Sequence, residues 1–155
     1  MVSDQRKRRF RFWADGYDAL HRLSETVKAA GLEAPLLELI KMRASQVNGC
    51  AYCIDMHSKD ARSAGETEQR LYALSAWRET PFFTERERAA LALTEALTLI
   101  AESHVLLPSV LDEAAAHFTA EEMSTLLYAI IEINAWNRLG IATGTQPGSY
   151  QPSGS

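Results

Sequence analysis

Both cysteines of the chain, and one of its four histidines, fall in a single decapeptide, NGCAYCIDMH at residues 48–57. Cys50 and Cys53 are three residues apart, and His57 follows four after Cys53. On a helix this spacing sets the two sulfurs on one face, near enough to close a disulfide, with the imidazole on the same stripe. Cys50 would open that helix, where partial positive charge and free amides favour thiolate over thiol. A free thiol titrates near ~8.5, and such a placement lowers it. The group is suited to thiol–disulfide redox chemistry or to an activated cysteine nucleophile. It could also form a zinc half-site, with Cys50, Cys53 and His57 as three ligands and the fourth supplied from elsewhere. His21, His104 and His117 are distant in sequence and carry no chemical signal of their own. Two cysteines cannot staple a secreted domain of this length, so redox, catalytic or metal chemistry in a reducing compartment, the cytoplasm, is expected.

An imidazole used this way needs a partner. The residues ahead of the motif read as a helix over 35–47, begun by Pro35, and Asn48-Gly49 breaks the chain before the next helix at 50–64. A connection this short makes the two helices antiparallel neighbours. At about 1.5 Å per residue, Glu38 and His57 lie roughly 13 Å and 10 Å from the turn, at similar height on facing helices. Glu38 is therefore the candidate to orient His57, in the order carboxylate, imidazole, thiol. The plainer alternative for Glu38 is an ordinary surface pair with Lys41 at i+3.

The other elements also read as helices, at about 17–30, 68–79, 84–101, 108–118 and 119–142. Thr84-Glu85-Arg86-Glu87 and Thr119-Ala120-Glu121-Glu122 are capping boxes. No strand-like alternation and no internal repeat is present. Leu126–Ile133 (LLYAIIEI) is apolar nearly all round, which predicts a central helix partly covered by another subunit. The 155 residues, 46% of them hydrophobic, suffice for one all-α domain of about seven helices. Its expected limits are 17–143, after a basic N-terminal arm (1–16) and before a flexible Gly/Pro/Ser-rich tail (144–155). Arg8-Arg9 resembles a twin-arginine signal only superficially, since no apolar segment follows. No stretch approaches the roughly 18 apolar residues of a membrane span. A net charge of −4 disfavours nucleic acid as a partner. Trp77, Trp136 and Phe82-Phe83 are expected in the core or an interface. No phosphate loop, nucleotide fingerprint or serine elbow occurs.

Glu38, eleven intervening residues, then Cys50-x-x-Cys53-x-x-x-His57 resembles the AhpD-like alkylhydroperoxidases of the carboxymuconolactone decarboxylase superfamily. The similarity extends from about Leu36 to Thr98, and IEINAWNRLGIA at 131–142 also looks typical. The resemblance implies an AhpD-like helical bundle that forms homotrimers or homohexamers. It implies a thiol-dependent peroxidase in which the cysteine pair reduces a hydroperoxide through a sulfenic acid and then a disulfide. Glu38 and His57 would serve as a proton relay, and a dithiol or lipoyl-type partner would re-reduce the pair, with no organic cofactor and no metal. The best-known branch has a histidine directly before the second cysteine, where this chain has Tyr52. The decarboxylase branch generally lacks the cysteine pair, which disfavours lactone decarboxylation. A non-enzymatic redox or zinc-holding oligomer is the remaining alternative. Cys53, one turn from His57, is expected to attack and Cys50 to resolve, with the reverse order open because Cys50 has the helix dipole and the greater expected exposure.

Overall fold

Helical periodicity runs through nearly the whole chain. The computed structural model, which describes residues 14–152, contains eight α-helices and one 3-10 segment, with no strand among those residues. They are α1 (Ala14–Ala29), α2 (Ala34–Asn48), α3 (Ala51–Ser63), α4 (Glu68–Ala73) with the 3-10 segment Leu74–Glu79, α5 (Glu85–Thr98), α6 (Ile100–Ser103), α7 (Pro108–Ala115) and α8 (Ala120–Thr143). The expected all-α single domain is what forms. The basic stretch expected as an N-terminal arm lies outside the described residues, except that Ala14, Asp15 and Gly16 already belong to α1.

Two helices expected to be continuous are interrupted. Ala76 leaves helical geometry (φ −118°, ψ 31°) between α4 and the end of the 3-10 segment. The departure accompanies the burial of Trp77 in the core, with its indole N–H donating to Glu95 at 2.8 Å. Tertiary packing here outweighs helix propensity. At the far end of α5, Leu99 breaks the run where the chain leaves the core, and Leu99 and Ile100 are exposed. Both capping boxes form as the sequence predicts, with Thr84 accepting from the Glu87 amide and Thr119 from the Glu122 amide.

Helix α2 holds the two halves of the core together. Leu36, Leu37 and Ile40 pack in one cluster with Val27 of α1, Leu93 of α5, Ala114 of α7 and Ile130 of α8. Leu39 and Met42 pack in the other, with Ala61 of α3, Leu71, Leu74, Trp77 and Phe83. Fully burying each such aliphatic side chain contributes about 1.5–3 kcal/mol before chain entropy is counted. Helix α8, expected to be central with part of its surface covered by another subunit, buries Leu126, Ala129, Ile130 and Ile133 and leaves Tyr128 and Ile131 about half exposed in the single chain, at 52% and 54%. The helix buried on most sides is thus α2, the element that carries Glu38. None of the helices among the described residues is long and apolar enough to cross a membrane.

A cluster of charges closes the second half of the core. Glu95 accepts from Arg43 Nε at 2.7 Å, from the Trp77 indole and from Arg78. Burial alone would raise its carboxyl, but the donors Arg78, Trp77 and Arg43 outweigh it and hold the group below its ordinary value of 4.5. As the pH falls, the unfolded chain takes up this proton first, so folding loses stability. The contribution is complete well above pH 4.5 and is lost as the pH drops through the lower value of the folded state. We expect Glu95→Gln to lower the thermal midpoint at neutral pH and to flatten the acid side of the stability curve. Thermal unfolding followed by circular dichroism from about pH 3 to about pH 7 checks this.

Candidate active site

The turn between α2 and α3 is held before any sulfur is involved. Gly49 ends α2 in the left-handed conformation (φ 70°, ψ 31°), which only glycine adopts without cost. The Cys50 amide donates back to Ser45 O at 3.0 Å. Asn48 Nδ2 donates to Asn134 Oδ1 (3.0 Å) and to Asn137 Oδ1 (2.9 Å), and Asn137 Nδ2 donates to Ser45 Oγ (2.9 Å). Asn137 is fully buried, so its amide has no water to fall back on. They lock the turn to α8.

Cys50 is the N-cap of α3 and its side chain caps nothing. It is joined to Cys53 as a disulfide, with a Cα–Cα separation of 5.4 Å. The sequence predicts Cys50 as the more exposed thiol. It is not: Cys50 is 1% exposed and Cys53 3%. The cover comes in part from α8, where Gly140 faces the sulfurs. A Cβ at Gly140 would lie 3.3 Å from Cys50 Sγ and 3.7 Å from Cys53 Sγ. The absence of a side chain there leaves the room the sulfurs occupy.

One turn further along α3, His57 is buried, and its Nδ1 lies 2.8 Å from Glu38 Oε2. The height estimate from the sequence is thus matched by contact between the two helices. Lys41 does not pair with Glu38. It reaches Glu132 of α8 at 2.8 Å, and Glu132 also accepts from Ser24 Oγ, which in turn accepts from the Trp136 indole at 2.8 Å. Glu38 is therefore left to the imidazole. An N–H on Nδ1 donated to Glu38 leaves Nε2 as the free base of a neutral ring.

Two residues that the sequence reading did not single out complete the polar end of the site. Asp60, at i+3 from His57, sits close enough that one ligand-type atom each from Glu38, His57 and Asp60 lie within 4.8 Å of one another. Tyr150 Oη donates to Asp60 Oδ1 at 2.7 Å. The donors and acceptors of the trio are thus matched internally, Glu38 with His57 and Asp60 with Tyr150, as a hydrogen-bond cluster. With both sulfurs committed to the disulfide, Cys50, Cys53 and His57 do not form a zinc donor set in this oxidation state. His21, His104 and His117 stay outside the site, and His104 ends α6 in the left-handed region (φ 56°).

Tyr150 arrives from the segment expected as a flexible tail. Its described part runs along α3: the Gly148 amide donates to Asp55 Oδ2 at 2.9 Å, and Lys59 Nζ donates to Tyr150 O at 3.1 Å. Asp60 had a local signal, since it extends the Cys53–His57 stripe by one turn. Tyr150 had none, because nothing in its own neighbourhood of the chain marks a docking partner on α3.

Comparison with known proteins shows the family and the fold. The model of the carboxymuconolactone decarboxylase family matches residues 14–96, which include Glu38, both cysteines and His57. The uncharacterized protein YdfG of Bacillus subtilis is 43% identical over 136 residues, covering 87% of this chain and 91% of YdfG. Among solved structures, ATU0492 of Agrobacterium tumefaciens, described as a candidate antioxidant defence protein AhpD, superposes with a TM-score of 0.84 at 39% identity, over 88% of this chain and 93% of that one. A cysteine-to-alanine variant of the debrominase Bmp8, with 2,3,4-tribromopyrrole bound, shares the fold at a TM-score of 0.79 and 24% identity, over 88% of this chain and 73% of its own. The chain belongs to the carboxymuconolactone decarboxylase family, on its AhpD-like side.

Proposed function

We propose that the protein is a thiol-dependent hydroperoxide reductase with an antioxidant role. The observation that carries this reading is the Cys50–Cys53 pair, able to close a disulfide, on the same helix face as an imidazole that a half-buried carboxylate orients at 2.8 Å. In the reduced protein the attacking thiol, Cys53, passes its proton to His57 Nε2 while Nδ1–H stays on Glu38. The thiolate attacks the distal peroxide oxygen, the O–O bond breaks, and the alcohol leaves with a proton returned from the imidazolium. Cys53 is then a sulfenic acid. Cys50 displaces its hydroxyl as water and forms the disulfide. An external dithiol or lipoyl-type partner resets the pair by exchange and is itself oxidised to a disulfide. Each balance closes without an organic cofactor or a metal. The assembly proposed is a homotrimer or homohexamer working in the cytoplasm.

The test is intact-mass analysis of fully reduced protein before and after one equivalent of an organic hydroperoxide. Loss of two hydrogens per chain with no gain of oxygen is the expected result. An unchanged mass together with unconsumed peroxide refutes the reading. Turnover of a ring lactone by a Cys50→Ser/Cys53→Ser double variant would replace it with a lyase.

The relay makes a second prediction. Proton transfer by a positioned side chain contributes about 10²–10⁴-fold, and a ring that keeps its place but loses its orienting anion forfeits part of this. We expect Glu38→Gln to fold normally and to slow peroxide reduction by about 10- to 100-fold, read from single-turnover rates by stopped flow. A wild-type rate removes Glu38 from the relay.

A further inference from the structure

The site holds two carboxylates and one imidazole. A neutral histidine ring has one N–H to give, and Glu38 Oε2, 2.8 Å from Nδ1, is placed to accept it. Asp60 is a rival in the same cluster, within 4.8 Å of the other two groups. It lies on α3 itself, at i+3 from His57, where a side chain meets its neighbour readily. What separates the rivals is the tail. Tyr150 Oη donates to Asp60 Oδ1 at 2.7 Å. The backbone that carries that phenol is held independently of it. Gly148 N donates to Asp55 Oδ2 (2.9 Å), Lys59 Nζ pairs with Asp55 Oδ2 (2.9 Å), and the same ammonium donates to Tyr150 O (3.1 Å).

We propose that Tyr150 is a positioning residue of the Glu38–His57 pair: its O–H bonds Asp60 Oδ1, steadies that carboxylate and so weakens its competition with Glu38 for the imidazole. The phenol is suited to that task because it keeps its proton under ordinary conditions. Burial, the hydrogen bond to Asp60, and the nearby negative charges of Asp60 and Glu38 push its ionisation far above the usual tyrosine range. It therefore stays a donor wherever the relay operates. Without the hydroxyl, Asp60 loses its donor on Oδ1 and is free to turn toward the ring. The ring then turns to serve it, and Nε2 no longer stands free to take the thiol proton. The activity arm of this inference rests on the proposed peroxidase chemistry, whereas the state of the ring does not.

The experiment uses the full-length chain with three changes: Tyr150→Phe, Asp60→Asn and the two combined. Phenylalanine keeps the ring of Tyr150 and the backbone contacts of the tail. Side-chain ¹⁵N spectra of His57 at neutral pH should show a protonated Nδ1 and a bare Nε2 in the wild type. Tyr150→Phe should lose the bare Nε2 signal and slow hydroperoxide reduction by about 10-fold. Adding Asp60→Asn removes the rival anion and should restore both readouts. A tail that merely props up α3 would not be rescued by a change on a different residue. Wild-type nitrogens in Tyr150→Phe, or a double variant no better than the single, overturns the proposal. If the wild type consumes no hydroperoxide, the peroxidase reading falls, and the His57 nitrogens still decide the role of Tyr150.

Discussion

Cys53→Ser is expected to abolish hydroperoxide reduction, by at least about 10³-fold, because a serine hydroxyl at that position cannot ionise or accept an oxygen atom as sulfur does. Cys50→Ser should end multiple turnover just as completely, but for a different reason. With Cys53 intact, the first attack still occurs, and the product stops at the sulfenic acid. Mass analysis of Cys50→Ser after one equivalent of peroxide should then show one added oxygen, and Cys53→Ser should show none. The opposite pattern would assign the attack to Cys50 and reverse the order given above. The structure makes this a sharp comparison, because the two sulfurs are equally hidden, at 1% and 3% exposure. Access alone does not favour either thiol, whereas proximity to His57 on the helix favours Cys53. Retention of wild-type turnover by both variants would end the thiol mechanism altogether.

The second large effect concerns Lys41. Its ammonium lies 2.8 Å from Glu132, whose residue is 1% exposed, and its own side chain is 12% exposed. Removing one partner of a buried pair leaves a charge with neither water nor counter-ion, which costs about 3–5 kcal/mol. Lys41→Met should therefore destabilise the protein by about that amount in urea unfolding. Lys41→Met/Glu132→Leu, which removes both charges and leaves apolar bulk, should recover most of it. A small loss in the single variant would mean that Ser24 alone satisfies Glu132. The pair also matters to the site. Lys41 is one turn from Glu38 but pairs with Glu132, while Glu38 bonds His57. Glu132→Leu alone should free Lys41 to reach back to Glu38 at i−3 and slow the relay.

Much of the site could be read from the sequence because its parts are close along the chain. Cys50, Cys53 and His57 share one helix, so i+3 and i+4 spacing settles their common face. Glu38 lies one short turn away, and helical rise alone predicts its height opposite His57. The capping boxes at Thr84 and Thr119 are equally local and form as written. The helix boundaries that differ do so where distant packing intervenes, as at Ala76, where Trp77 is buried against α5.

Lys41 chose Glu132, far along the chain on α8, over Glu38 one turn away on its own helix. Cys50 lost its expected exposure to Gly140, and Tyr150 crossed 90 residues to find Asp60. None of these carries a signal in sequence spacing, since each depends on how helices separated in the chain pack side by side. By itself the sequence determined the all-α class, the shared face of two sulfurs and an imidazole, and the carboxylate opposite them. These follow from backbone periodicity, which is a property of neighbouring residues. Only the tertiary structure decided which charges were left free, how deeply the sulfurs were covered and what occupies the second carboxylate. Burial and hydrogen-bond satisfaction are properties of the packed whole.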